Sequence, residues 1–96
     1  MKILAERLRQ LRCDKDLTMD QLVADMNVRF QLEKPINKSM VSRWEKGDND
    51  PSLENAKYLS EYFDVSIDYL IGLSDIRTPS RVLAYSKMKK EKNDDN

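Results

Sequence analysis

Between Asn37 and Gly47 the chain sets Lys38, Ser39, Ser42, Arg43 and Lys46 among Met40, Val41 and Trp44. Wound as a helix, this stretch turns Met40 or Val41 and Trp44 inward and leaves Lys38, Ser39, Ser42 and Arg43 outside. Asn37 suits the N-cap, and Gly47 suits a left-handed residue at the C-terminus. The outer face offers cations and hydroxyls, with no carboxylate before Glu45. Such a face can donate to phosphates and base edges, and the major groove of B-DNA admits one helix. Arg43, at the middle, carries the fork for a bidentate guanine contact, and Lys38 suits a base or a nearby phosphate. Met40 either joins the core or meets a thymine methyl. A short polar helix face is common, so its weight depends on what surrounds it.

The elements that must hold this helix are readable in order. Leu4, Leu8 and Leu11 repeat at helical spacing and predict helix 1 from about Lys2 to Lys15, with Cys13 as a small buried hydrophobe at its edge. Asp16 must end it where Gly is usual. Thr18 with Gln21 three residues later forms a capping-box signal. Helix 2 is therefore expected from Met19 to somewhere between Phe30 and Glu33, because Pro35 forbids continuation. Ser52 caps helix 4, for which Leu53, Ala56, Leu59 and Phe63 (or Tyr62) are the expected inward stripe. Ser66 caps a short helix 5, Ile67 to Ile71, closed by Gly72. A domain of residues 1–73 is expected, followed by a polar tail, 74–96, with a short helix over 79–92 and a frayed end.

Composition excludes more than it assigns. The 96 residues allow one small domain, and 17 basic residues balance 17 acidic ones. Residues 1–46 nevertheless carry a balance of +3, residues 47–76 of −6, and residues 77–96 of +3. A polyanion should thus meet the first half or the tail. No strand alternation is sustained, so the fold class is all-α. One Cys and no His leave no disulfide, no zinc cluster and no His-based acid–base pair. No nucleophile–base arrangement is visible, so no enzyme and no cofactor are expected. No signal core or membrane-length stretch occurs, and the expected compartment is a reducing cytoplasm.

Four segments, Leu17 to Leu22, Ser42 to Gly47, Pro51 to Glu54 and Phe63 to Gly72, succeed one another in order and spacing. Together they resemble the lambda-repressor-like helix-turn-helix proteins, the Xre or Cro-type group, over about residues 2–73. The resemblance implies a compact five-helix domain and a transcription regulator that binds double-stranded DNA, usually as a homodimer. It places Thr18, Gln21, Asn37, Lys38, Ser39, Met40, Ser42, Arg43 and Lys46 at the DNA. Thr18 and Gln21 sit where a helix N-terminus favours phosphate, although capping alone accounts for them equally. Arg12 and Glu45 match positions that form an ion pair between helices 1 and 3 in similar proteins. Three departures stand out. Val28–Pro35 is inserted where the family commonly has a tight turn, Met19 replaces a frequent Gln, and Asp48 and Asp50 occupy a loop that often carries cations.

A phage or mobile-element repressor at an inverted-repeat operator is the reading preferred at this level. The alternatives are an antitoxin-type regulator that also binds a toxin, and a protein-interaction module; an antirepressor is a further candidate partner. Arg29 and Lys34 make backbone contact by the insertion one of three readings, beside a plain loop variation and a longer helix 2. Tyr69, Ile71, Leu73 and Ile76 crowd apolar surface into a short stretch and form the expected dimer interface.

Overall fold

The computed structural model describes residues 1–79, which form five helices: α1 (Lys2–Asp14), α2 (Met19–Phe30), α3 (Lys38–Lys46), α4 (Leu53–Phe63) and α5 (Ile67–Ile71). Four begin on a side chain that accepts from the backbone three residues on: Thr18 from Gln21, Asn37 from Met40, Ser52 from Asn55 and Ser66 from Tyr69. At Thr18 the box closes in both directions, with bonds of 2.9 and 3.1 Å. Each cap satisfies an amide that the helix cannot reach. The ends are made by left-handed residues, Asp16, Gln31, Gly47, Asp64 and Gly72.

The helices enclose one core. Leu4, Leu8 and Leu11 of α1 meet Leu22 and Met26 of α2, Val41 and Trp44 of α3, Leu59 and Phe63 of α4, and Leu70 of α5. α1 packs on α3 and α5, while α2 bridges α3 and α4. Full burial of each such side chain contributes roughly 1.5–3 kcal/mol. Val41, not Met40, takes the inward position of α3, and Met40 is half-buried beside it.

Three expectations are corrected. Leu53, at the first position of α4, is 79% exposed, and Ser60 takes an inward place, its hydroxyl donating to the Lys57 carbonyl at 2.7 Å. Cys13 is exposed, since it stands about 200° around the helix from Leu11. Tyr69, counted above with the dimer interface, is buried. The Arg7 guanidinium lies 4.1 Å from its ring centroid and that of Arg77 lies 5.5 Å away, so two cations cover the ring.

These arginines also strap the segment after α5 onto the domain. Arg7 donates to the carbonyls of Tyr69 and Ser74 and pairs with Asp75 at 2.8 Å. Arg77 donates to the Tyr69 hydroxyl, and its carbonyl accepts from the Ser66 amide at 2.9 Å. The helix expected over 79–92 lies almost wholly outside the described residues.

Gly72 is required twice over. Its φ is +90°, and a Cβ there would stand 2.8 Å from Ile3 Cγ2 on α1. Gly72→Ala should lower stability by about 1–2 kcal/mol through the backbone alone, and thermal unfolding measures this. An unchanged melting temperature would show that α5 ends without this turn.

Candidate nucleic-acid interface

α2, the connection after it and α3 form the site. On α3, Lys38, Ser39, Arg43 and Lys46 are exposed, and Ser42 is half-buried on the same outer side. The side chains of Ser39, Ser42, Arg43 and Lys46 take no hydrogen bond or ion pair among the described residues. Four donors in a row are thus uncommitted. Lys38 is only lightly engaged, its Nζ lying 3.8 Å from Asp20 with both side chains well exposed. Such a pair contributes little.

The back of α3 is held firmly. Arg12 of α1 meets Glu45 through two parallel bonds of 2.7 and 2.8 Å, and its third donor reaches the Leu17 carbonyl at 2.7 Å. The Glu45 side chain is 3% exposed and that of Arg12 14%. The hydrogen bond to Glu45, opposed in part by burial, raises the Arg12 guanidinium above its ordinary pKa. Arg12 therefore joins α1, the turn before α2 and α3.

The front of α3 is held by a residue the sequence did not point to. Asn27, on the last turn of α2, donates to the Ile36 carbonyl and accepts from the Ile36 amide, both at 2.9 Å. Ile36 is itself buried, and the next residue, Asn37, caps α3. Part of the insertion, Val28 to Phe30, lengthens α2, and the remainder forms the connection. The Arg29 guanidinium lies near the rings of Phe30 and Tyr62, at 5.1 and 5.7 Å. The Tyr62 hydroxyl donates to Asp25 at 2.8 Å, and burial followed by that bond pushes the phenol up to about 12.

At the N-terminus of α2, the side chains of Thr18 and Gln21 are spent on the capping box, while the amides of Met19 and Asp20 take no partner among the described residues. Asn37 likewise uses its side chain as a cap. In the loop after α3, Asp50 pairs with the Met1 ammonium. Of the residues expected at a dimer interface, Ile71 is half-buried, whereas Leu73 and Ile76 are 76% and 60% exposed.

The sequence pattern of the helix-turn-helix family matches residues 8–70, most of the described chain and every contact just set out except the strap and the Met1–Asp50 pair. This chain belongs to the helix-turn-helix family. The matched segment is a helix-turn-helix domain of the lambda-repressor-like kind. It is 33% identical over 85 residues to the HTH-type transcriptional activator BcrR of Enterococcus faecalis, a match covering 88% of this chain and 38% of that protein. It is 35% identical over 74 residues to the uncharacterized HTH-type transcriptional regulator YobD of Bacillus subtilis (strain 168), covering 77% of this chain and 59% of that one. The chain therefore spans less than two thirds of either relative. No solved structure matches it. No described helix of this helix-turn-helix protein is long and apolar enough to cross a membrane.

Proposed function

We propose that this chain recognises a specific double-stranded DNA sequence as a homodimer on an inverted repeat, and represses transcription there in the manner of a phage or mobile-element regulator. One observation carries the reading: Ser39, Ser42, Arg43 and Lys46 stand uncommitted on a helix whose inner side is fixed by Val41, Trp44 and the Arg12–Glu45 pair. α3 enters the major groove, Arg43 reads a base, and the α2 N-terminus and Lys46 hold phosphates. No bond is made or broken. A bound dimer occludes the promoter, which requires nothing beyond the domain itself.

Selection of bound sequences from random duplex DNA tests this. The expected product is a two-fold symmetric site with half-sites about one turn, ~34 Å, apart. Enrichment of no sequence would overturn the reading. Because BcrR is named an activator, the second reading is activation from a site beside the promoter. Transcription in vitro on the selected site separates them, since occlusion lowers and activation raises the transcript yield.

Dimerisation is assigned to Leu73 and Ile76 with the exposed part of Ile71. Leu73→Asp leaves the core alone and should abolish cooperative binding, weakening the full operator on the order of a hundredfold while leaving a half-site unaffected. Titration of both DNAs measures it. Undiminished cooperativity would place the interface elsewhere.

A further inference from the structure

The connection between α2 and α3 is long for a unit that must present a helix accurately. Between the Gln31 C-cap and the Asn37 N-cap lie Leu32 to Ile36, enough chain to let the front of α3 wander. The Arg12–Glu45 pair restrains only the rear of that helix, because Glu45 is its penultimate residue. Lys38, Ser39 and Ser42 lie toward the other end. With α3 pivoting at Glu45, a tilt of about 10° would move Lys38 by roughly 2 Å, given a rise of about 1.5 Å per residue. Hydrogen bonds to bases tolerate only a few tenths of an ångström. Long side chains on phosphates can follow such a shift; base contacts cannot.

The Asn27 carboxamide removes this freedom. It satisfies both backbone groups of Ile36 at once, as a neighbouring strand would, and the Ile36 side chain is sunk in the core one residue before the cap of α3. Breaking the pair would leave half-buried backbone groups without partners. We infer that Asn27 is a positioning residue for sequence readout, the front clamp of the recognition helix. It gives the inserted connection the rigidity that a tight turn would otherwise supply. The inference rests on the proposed sequence-specific binding and names what enforces it.

Asn27→Ala and Asn27→Asp test it, titrated on the selected operator and on random duplex at several salt concentrations, in the temperature range where circular dichroism shows both folded. Aspartate keeps an acceptor for the Ile36 amide but sets a carboxylate against the Ile36 carbonyl, so it should not rescue. The expected result is a loss of about tenfold or more on the operator, with random DNA bound as by the wild type and an unchanged salt slope. Repeating the selection should show discrimination relaxed over several adjacent base pairs, a readout that a merely stabilising residue would not move. Equal losses on both DNAs, or none, would overturn the inference. Amide exchange on the wild type covers the case in which the variants fail to fold. The Ile36 amide should be protected, and exchange at the rate of an open loop would overturn the clamp. If the wild type selects no sequence, the proposed function falls and this inference with it; if it selects one and Asn27→Ala selects it equally well, only the clamp falls.

Discussion

Glu45→Gln will lower stability and DNA affinity together. Glu45 and Arg12 share two short parallel bonds, with the carboxylate almost fully enclosed. Glutamine keeps the shape but removes the charge, and one of its two terminal atoms becomes a donor facing a guanidinium that has only donors. Arg12 would then be left largely desolvated and poorly compensated. Breaking one side of a buried pair typically costs ~3–5 kcal/mol, whatever the net value of the intact pair. The slight exposure of Arg12 points to the lower figure. A loss on the order of 3 kcal/mol is a large fraction of the ~5–15 kcal/mol available to a folded domain. Because the pair also sets the rear of α3, operator binding should weaken at temperatures where the variant is still folded. Denaturant unfolding of Glu45→Gln, Arg12→Met and the double variant gives the coupling directly. A coupling near zero would show that the two residues act separately.

What was legible in the sequence was mostly local. A capping residue acts on the amide three positions on, so Thr18, Asn37, Ser52 and Ser66 marked four helix starts where they are found. Gly47 and Gly72 marked two ends for the same reason, since only a left-handed residue closes those turns cheaply. The inward positions of α1 followed from period alone. Leu53 did not, because the period says which side of α4 is inward but not how far along it the covering helices reach.

The contacts that orient the site are nonlocal, and no pattern announces them. Asn27 and Ile36 meet across a connection whose path was unknown, and an Asn one turn from a helix end is unremarkable in a sequence. Arg7 lies off the apolar stripe of α1, and its value lies in a ring and two carbonyls that are more than sixty positions away. The Arg12–Glu45 pair was anticipated only through resemblance to other proteins, since nothing in either residue's neighbourhood links it to the other. The outer face of α3 is the reverse case. Its chemistry is legible in the sequence, but only the structure shows that the side chains of Ser39, Ser42, Arg43 and Lys46 are spent on nothing else among the described residues.

Arg43→Ala should cost roughly 1–3 kcal/mol on the operator and relax selection at one base pair in each half-site. Arg43 sits in the second turn of α3, six residues after the Asn37 cap, exposed, with no partner among the described residues for its five donors. Its own carbonyl accepts from the amides of Asp48 and Asn49, which fixes the backbone beneath it through the left-handed turn at Gly47. The side chain is therefore flexible but its root is not. A planar fork on a fixed root suits the two acceptors of guanine, and lysine would present one point charge instead. Alanine at this position removes nothing from the core, so the melting temperature should stay unchanged, in contrast to Glu45→Gln. Three readouts separate the readings: operator affinity, affinity for random duplex, and the sequence selected by the variant. A base contact predicts loss on the operator alone and a relaxed preference at a single position. A phosphate contact predicts equal weakening on both DNAs and a salt slope shallower by about one. That second outcome would move the reading of bases to Lys38, Ser39 and Ser42, the end of the helix that Asn27 holds.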